Sequence, residues 1–358
     1  MRRVAVSCSV LATVLAGCST PGINYETRLM PASQAAAATR DVAVERFYGP
    51  AGGWYAREFE AMLANATLDG QPWFRMASYA AESPTPVGIY SGDIDILSHT
   101  FEDYTRTVSK CVEWDGLFDC ETRIDVEEFC TREKLEVSVS PRLIDSLSGT
   151  VLFSGTYRGS AGEKVCDEYG YPGYGGFGYN RNVSLFGYGS FAPNYALLHA
   201  ALADTLYPIR VDIAPRNGTV KAVFVKEALD PVARADPRFE QAVKAGKENP
   251  VFSCLMWEDL YAQYQAAPSV KHNHAACLEA SGDFPTAQRL FAEAAESAAG
   301  FVVESDTQRV FTGSLQRISN QRYGHTVLDN LIAEDMSLFQ APPGSIGESD
   351  DPTSEPIS

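Results

Sequence analysis

The chain has 358 residues, with 46 acidic against 29 basic side chains and a formal charge of −17 at neutral pH. A surface this acidic repels phosphate backbones and anionic headgroups, which argues against nucleic acid as a ligand and against charge-driven adhesion to membranes.

Residues 1–17 open with Arg2 and Arg3 and continue as an apolar run. That run is about 14 residues long, the length of a signal-peptide core and short of the roughly 20 residues of a spanning helix. It closes on Leu15-Ala16-Gly17-Cys18, which resembles the lipobox of bacterial lipoproteins. The resemblance implies cleavage before Cys18, acylation of that cysteine as the lipid anchor, and, with Ser19 rather than aspartate after it, the inner leaflet of the outer membrane. Several acyl chains on one residue anchor a protein stably where one chain does not. The membrane is then met through the N-terminal lipid only. No later stretch reaches the length of uninterrupted apolar residues that a spanning helix needs. Residues 18–40 are rich in Ala, Ser, Thr and Pro without periodicity and read as a flexible tether.

The folded part is expected over 41–215. "DVAVERFYGP" is a short strand that Gly52-Gly53 terminates; Tyr55, Phe59, Met62, Leu63 and Ala66 then recur at helical spacing over 54–66. "PWFRMASY" is a second strand, and the β-branched and aromatic block from residue 87 onward a third. "LEVSVSPRLIDSLSGTVLFSGTY" alternates as a hairpin turning near Asp145 to Gly149. Residues 194–207 place Tyr195, Leu198, Leu202 and Leu206 on one helical face, which Pro208 ends.

Strand, helix, strand, β-meander, helix is an order that resembles the curli-secretion lipoprotein CsgG family and, more distantly, the N-terminal domain of TolB and lipoproteins that activate penicillin-binding proteins. "VAVERF", "WFRMASY", "GDIDI" and the long hairpin carry the resemblance. It implies an α+β fold, a small mixed sheet with flanking helices and a long β-hairpin meander. In the curli channel the segments flanking these strands become membrane-crossing hairpins. Here those segments are 101–132 and 159–191. Along the first, one face carries Arg106 and Lys110 and the other Glu113, so neither suits lipid. The second is broken throughout by Gly and Pro. Both therefore read as periplasmic insertions, and the Gly-Tyr-rich part of the second as a loop or an aromatic surface for a partner.

Cys8 leaves with the signal, and six cysteines remain beside Cys18. In an oxidising compartment an even number reads as disulfides, for which 15 pairings exist. Cys111 and Cys120 flank a turn, "EWDGLFD". Cys130 and Cys166 lie about equally far from the Asp145–Gly149 turn and so meet in an antiparallel ladder. Cys254 is left with Cys277. No spacing is C-x-x-C, and His272 and His274 point to different helix faces, so no metal and no cofactor is expected.

Residues 216–340 are expected to hold a strand pair turning at Asn217-Gly218, followed by helices. "HAACLEASGDFPTAQRLFAEAAES" looks like a tetratricopeptide unit, with Gly282 in the turn and Ala287, Phe291 and Ala294 interlocking its helices. It is either part of a peptide-binding groove or a three-helix cap closed by Cys254–Cys277. Ser305-x-x-Gln308 resembles a capping box opening a further helix, and 341–358 is an acidic tail.

No Ser-His-Asp or Cys-His arrangement is legible, and His99, His199 and His325 stand alone. The functional expectation is a non-enzymatic lipoprotein that binds envelope proteins during assembly or secretion, with self-association left open. The alternatives are an oligomeric CsgG-type pore and a periplasmic hydrolase.

Overall fold

The structure, a computed structural model, describes residues 20–77, 88–115, 119–167, 194–302 and 304–340. Its elements run β1 (Gly22–Leu29), α1 (Gln34–Ala38), β2 (Asp41–Tyr48), α2 (Gly52–Ala64), β3 (Thr67–Leu68), β4 (Gln71–Pro72), β5 (Arg75–Met76), β6 (Gly88–Asp115) and β7 (Asp119–Asp145). There follow β8 (Val151–Ser154), β9 (Tyr157–Asp167), α3 (Tyr195–Asp204), α4 (Leu206–Ile213), β10 (Arg216–Val223), α5 (Pro231–Ala235) and α6 (Pro237–Glu248). The chain ends in α7 (Pro250–Gln263), α8 (Pro268–Ala280), α9 (Phe284–Ala298) and α10 (Ser305–Gln340). The fold is mixed α+β and forms two compact units, one of residues 31–216 and the other of residues 1–30 with 217–358.

In the unit of 31–216 the sheet order is β5-β2-β6-β7-β8, with β9 also on β7; β2 pairs parallel with β5 and β6, and the remaining pairs are antiparallel. The buried face is set by alternation: Leu135, Val137, Val139 and Leu143 point inward from β7, opposite Tyr90 and Ile94 of β6. Onto this face α2 sets Tyr55, Phe59 and Leu63. The Phe59 ring lies 5.1 Å from those of both Phe47 and Tyr90. The Tyr55 hydroxyl is 2.7 Å from that of Thr205, at the C-cap of α3.

The meander turns where Asp145 gathers its own backbone. Its carboxylate accepts from the Leu147 and Ser148 amides, which holds it below the ordinary carboxylate range, and Gly149 takes φ +69°. Gly159 of β9 lets α3 come against the sheet, since a Cβ there would lie 2.0 Å from the Ala201 carbonyl oxygen. We expect Gly159→Ala to cost about 1–3 kcal/mol through overpacking. Gly162→Ala, whose nearest neighbour would be 3.4 Å away, should be tolerated. Denaturant midpoints of the two variants check this contrast.

Four sequence expectations need correction here. The tether assigned to 18–40 is, from Gly22 onward, strand β1 and helix α1; Ile23 and Tyr25 are buried, and Ser33 caps α1 by accepting from the Ala36 amide. Its apolar side chains are too few to announce a strand until a partner covers them. That partner is β10, so Asn217-Gly218 lies inside a single strand rather than at a hairpin turn, and the domain boundary at 216 gains residues 20–30 on its far side. Of the two expected insertions, 101–115 and 119–132 continue β6 and β7 as their outer halves, and 159–167 belong to β9, paired along β7. Pro208 does not end the helical segment, because it sits in the first turn of α4, where no intrahelical amide bond is required.

The second unit packs α5 to α10 about the β1–β10 sheet. Four of its helices begin with proline at the first helical position, and Asp230, Asp236 and Asn249 cap three of them by accepting backbone N–H bonds. Its centre is Trp257, with Phe224 and Phe239 edge-on at 5.6 and 5.0 Å. No helix among the described residues is long and apolar enough to cross a membrane.

Candidate functional site

Beyond the part of the sheet paired with β2, strands β6 and β7 continue as an arm, joined along residues 157–167 by β9. Cys130 and Cys166 are ladder partners in the β7–β9 pairing, and their disulfide closes a Cα–Cα distance of 4.0 Å. A second disulfide, Cys111–Cys120, clips the tip of the β6–β7 hairpin at 5.8 Å. A ribbon isolated from a core is marginal in water, and these cross-links stiffen it.

The two faces of the arm differ. One is laced by ion pairs: Glu128 takes Arg106 at 2.7 Å and Lys110 at 3.1 Å, and Arg132 reaches Glu102 at 3.1 Å. The two cations hold the Glu128 carboxyl below its ordinary range, Arg106 first. On the same face the Tyr104 ring lies 5.1 Å from the Arg132 guanidinium and 5.5 Å from the Lys164 ammonium. The neighbouring Lys164 ammonium is the main cause of that phenol's lowered pKa.

The other face is the outward continuation of the core side. Leu135 is fully buried, but Phe101, Phe129 and Val165, on the same side of the ladder, are 51%, 46% and 41% exposed. His99 joins this row through Glu133, 2.7 Å away, and its ring lies 4.7 Å from that of Phe101. Rigid backbone, exposed rings and a flanking His–carboxylate pair suit protein recognition. The alternation of Phe101 and Phe129 is visible in the sequence. Their register, which brings both to the core side, is not.

In the helical unit, α8 and α9 form a hairpin through Gly282, at φ +88°, with Ala287, Phe291 and Ala294 fully buried between helices. The disulfide Cys254–Cys277 ties α7 to α8 with Cα atoms 5.5 Å apart. Strand β1 lies against α6, α8 and α10, the alternate helices of the array. Along α10 it is bonded in steps of one helical turn: the Tyr25 hydroxyl meets the Gln321 side-chain amide at 2.6 Å, Thr27 meets His325 at 2.9 Å and Arg28 pairs with Asp329 at 2.9 Å. From Tyr25 to Thr27 two strand residues advance about 6.6 Å and from Gln321 to His325 four helical residues about 6 Å, so this first step nearly matches, and the long Arg28 side chain makes the next one. The face that a peptide groove would offer therefore holds the chain's own N-terminal strand.

Glu128, Cys130 and Cys166 bring three metal-type ligand atoms within 4.8 Å, but the sulfurs are bonded to each other and the carboxylate is ion-paired. His272 packs edge-on against Phe291 and Phe311, whereas His274 stacks on Tyr261, so the pair diverges. His199 stacks on Trp54 at 4.0 Å. A cavity of about 370 Å³ beside α2 carries Arg46 and Arg57 against Glu45 and Glu60 and contains no nucleophile–base pair. Cys18, the Gly-Tyr-rich stretch after residue 167 and the tail after 340 lie outside the described residues.

Comparison with protein families, curated proteins and solved structures finds no match to this chain.

Proposed function

We propose that the chain is a lipoprotein held by Cys18 at the periplasmic face of the outer membrane, and that it acts without catalysis as a binding factor in envelope assembly or secretion. The observation that carries this reading is the row Phe101, Phe129 and Val165, exposed on an arm that two disulfides stiffen. Disulfides themselves suit an oxidising compartment. The succession β2, α2, β5, β6 to β9 and α3 supports the CsgG-like reading, and the α8–α9 hairpin supports the tetratricopeptide-like one. A pore is the weaker reading. Both arm faces carry charge, Arg106, Lys110 and Glu128 on one and Asp103, Glu127 and Glu133 on the other, where a lipid-facing band needs 9 to 11 residues of strand with an apolar face.

A photoreactive residue placed at Phe101 or Phe129 in living cells should crosslink the same one or two envelope proteins. A probe at Val232, an exposed residue of α5, should not. With the probe at Val165 instead, Phe101→Ser together with Phe129→Ser should abolish the product without changing the amount of protein. An equal yield from all positions, or none from the arm, would remove the binding role.

A further inference from the structure

We propose that the outward side of the first two turns of α7, formed by Val251, Phe252 and Leu255, is a second membrane contact, seated in the boundary between headgroups and acyl chains beside the lipid anchor. The inference rests on the lipoprotein reading of Cys18 and adds to it how the helical unit meets the bilayer.

Helix α7 is apolar on both sides. Ser253, Trp257 and Leu260 face the core, while Val251, Phe252 and Leu255 are 73%, 52% and 57% exposed, at spacing i, i+1 and i+4. Three large apolar side chains in one outward patch are the pattern of an interaction surface rather than of scattered surface residues.

Their position in the unit selects the occupant. The described residues begin at Thr20, two residues after Cys18, and are fastened at once: the Lys221 ammonium bonds the Thr20 carbonyl, and the Phe224 amide donates to the Pro21 carbonyl at 2.9 Å. The Phe224 ring in turn lies on Gly246, where an added Cβ would come 2.5 Å from it. Gly246 is in the last turn of α6, and three residues later Asn249 caps α7 by accepting from the Phe252 amide at 3.1 Å. The first described residues and the start of α7 are thus linked through Pro21, Phe224 and Gly246, which puts the acylation point proposed for Cys18 two residues from that end of the unit.

Lys244 is paired with Glu240 at 2.7 Å, and the neighbouring Lys247 is outnumbered in the sequence by Glu248, Glu258 and Asp259, so the patch has no excess of positive charge beside it. The fit is therefore to a bilayer interface through apolar insertion, with little dependence on anionic lipid. Three side chains do not hold a protein at a membrane by themselves. Next to an anchor that already supplies proximity, they fix its orientation.

The test uses the acylated full-length protein reconstituted into phosphatidylethanolamine–phosphatidylglycerol vesicles, with an environment-sensitive dye on Phe252→Cys or, as reference, on Tyr323→Cys at an exposed position of α10. On reconstitution the dye at 252 should brighten several-fold, shift to the blue and be quenched by nitroxide lipids labelled near the headgroup; the dye at 323 should do none of these. Brightening at 252 before lipid is added would assign the face to a second copy or to another segment of the same chain and overturn the proposal. A dye at 252 that stays in water on vesicle-bound, acylated protein would overturn it while leaving the lipoprotein reading intact. An intact mass without acyl groups, together with no vesicle binding, would remove both.

Discussion

Arg317→Ala is expected to destabilise the helical unit by about 3–5 kcal/mol, the cost of leaving a buried charge without its partner. The charge is Glu279 of α8, whose side chain has no solvent exposure. Both its oxygens accept from the Arg317 guanidinium at 2.7 Å, and Oε1 also accepts from the Tyr25 hydroxyl at 2.7 Å. Burial, and after it the Glu279 carboxylate, keeps that phenol protonated well above the ordinary tyrosine range. The network joins three segments distant in sequence, β1, α8 and α10, so its loss should be felt first in β1. Hydrogen exchange of residues 22–29 should accelerate on Arg317→Ala, with residues 31–216 unaffected. The double variant Glu279→Leu with Arg317→Leu should cost less than either single change, because no charge is left unpaired. Equal costs for the single and double variants would show that packing, and not the charge, is what matters.

Between pH 6.5 and about 4 the same unit should lose up to about 3 kcal/mol of stability through His272. This side chain is fully buried on α8, with the rings of Phe291 and Phe311 at 4.8 and 5.0 Å. Burial, more than any other cause, pushes its pKa down to about 4; Asn273 pulls it back in part, and Arg317 adds to the depression. The sign follows from the direction. The unfolded chain takes up a proton near pH 6.5 while the folded site refuses one until about 4, so acid favours unfolding across that window and stability is complete above it. His274, half-buried and also depressed, contributes a smaller part in the same sense. Asp236, held at about 2 beside Arg238, loses its stabilisation mostly below the window. Denaturant titrations at pH 7 and pH 4.5 should show the loss in the wild type and most of it removed in His272→Leu. An unchanged slope in the variant would place the proton elsewhere.

Part of this protein is legible in its residues because it is local. Asp145 and Gly149 specify a turn by chemistry within five residues, and once the turn is placed, strict alternation decides which side of β7 is buried. Cys130 and Cys166 sit opposite each other for the same reason, as positions equally removed from that turn. Gly282 separates two helical periods and takes the left-handed conformation such a turn requires. The Asp-Pro and Asn-Pro steps at 230, 236 and 249 start helices, a local signal that an apolar-period reading passes over.

The N-terminal segment is the opposite case. Residues 22–29 contain little that marks a strand, and what makes them one lies about 190 residues away in β10 and about 300 away in α10. No window of sequence contains both partners, so composition alone suggested a tether. The bulge between Ile96 and Ser98 has a similar effect on the arm: one extra residue resets which side chains of β6 face inward, and so brings Phe101 to the side of Leu135 and Phe129. Turns, caps and helical or strand periods depend on neighbours along the chain, and are therefore written locally in the residues. The place of the N-terminal strand in the helical unit and the choice of rings that the arm exposes emerge with the folded chain, because both depend on pairings whose register is set by distant residues.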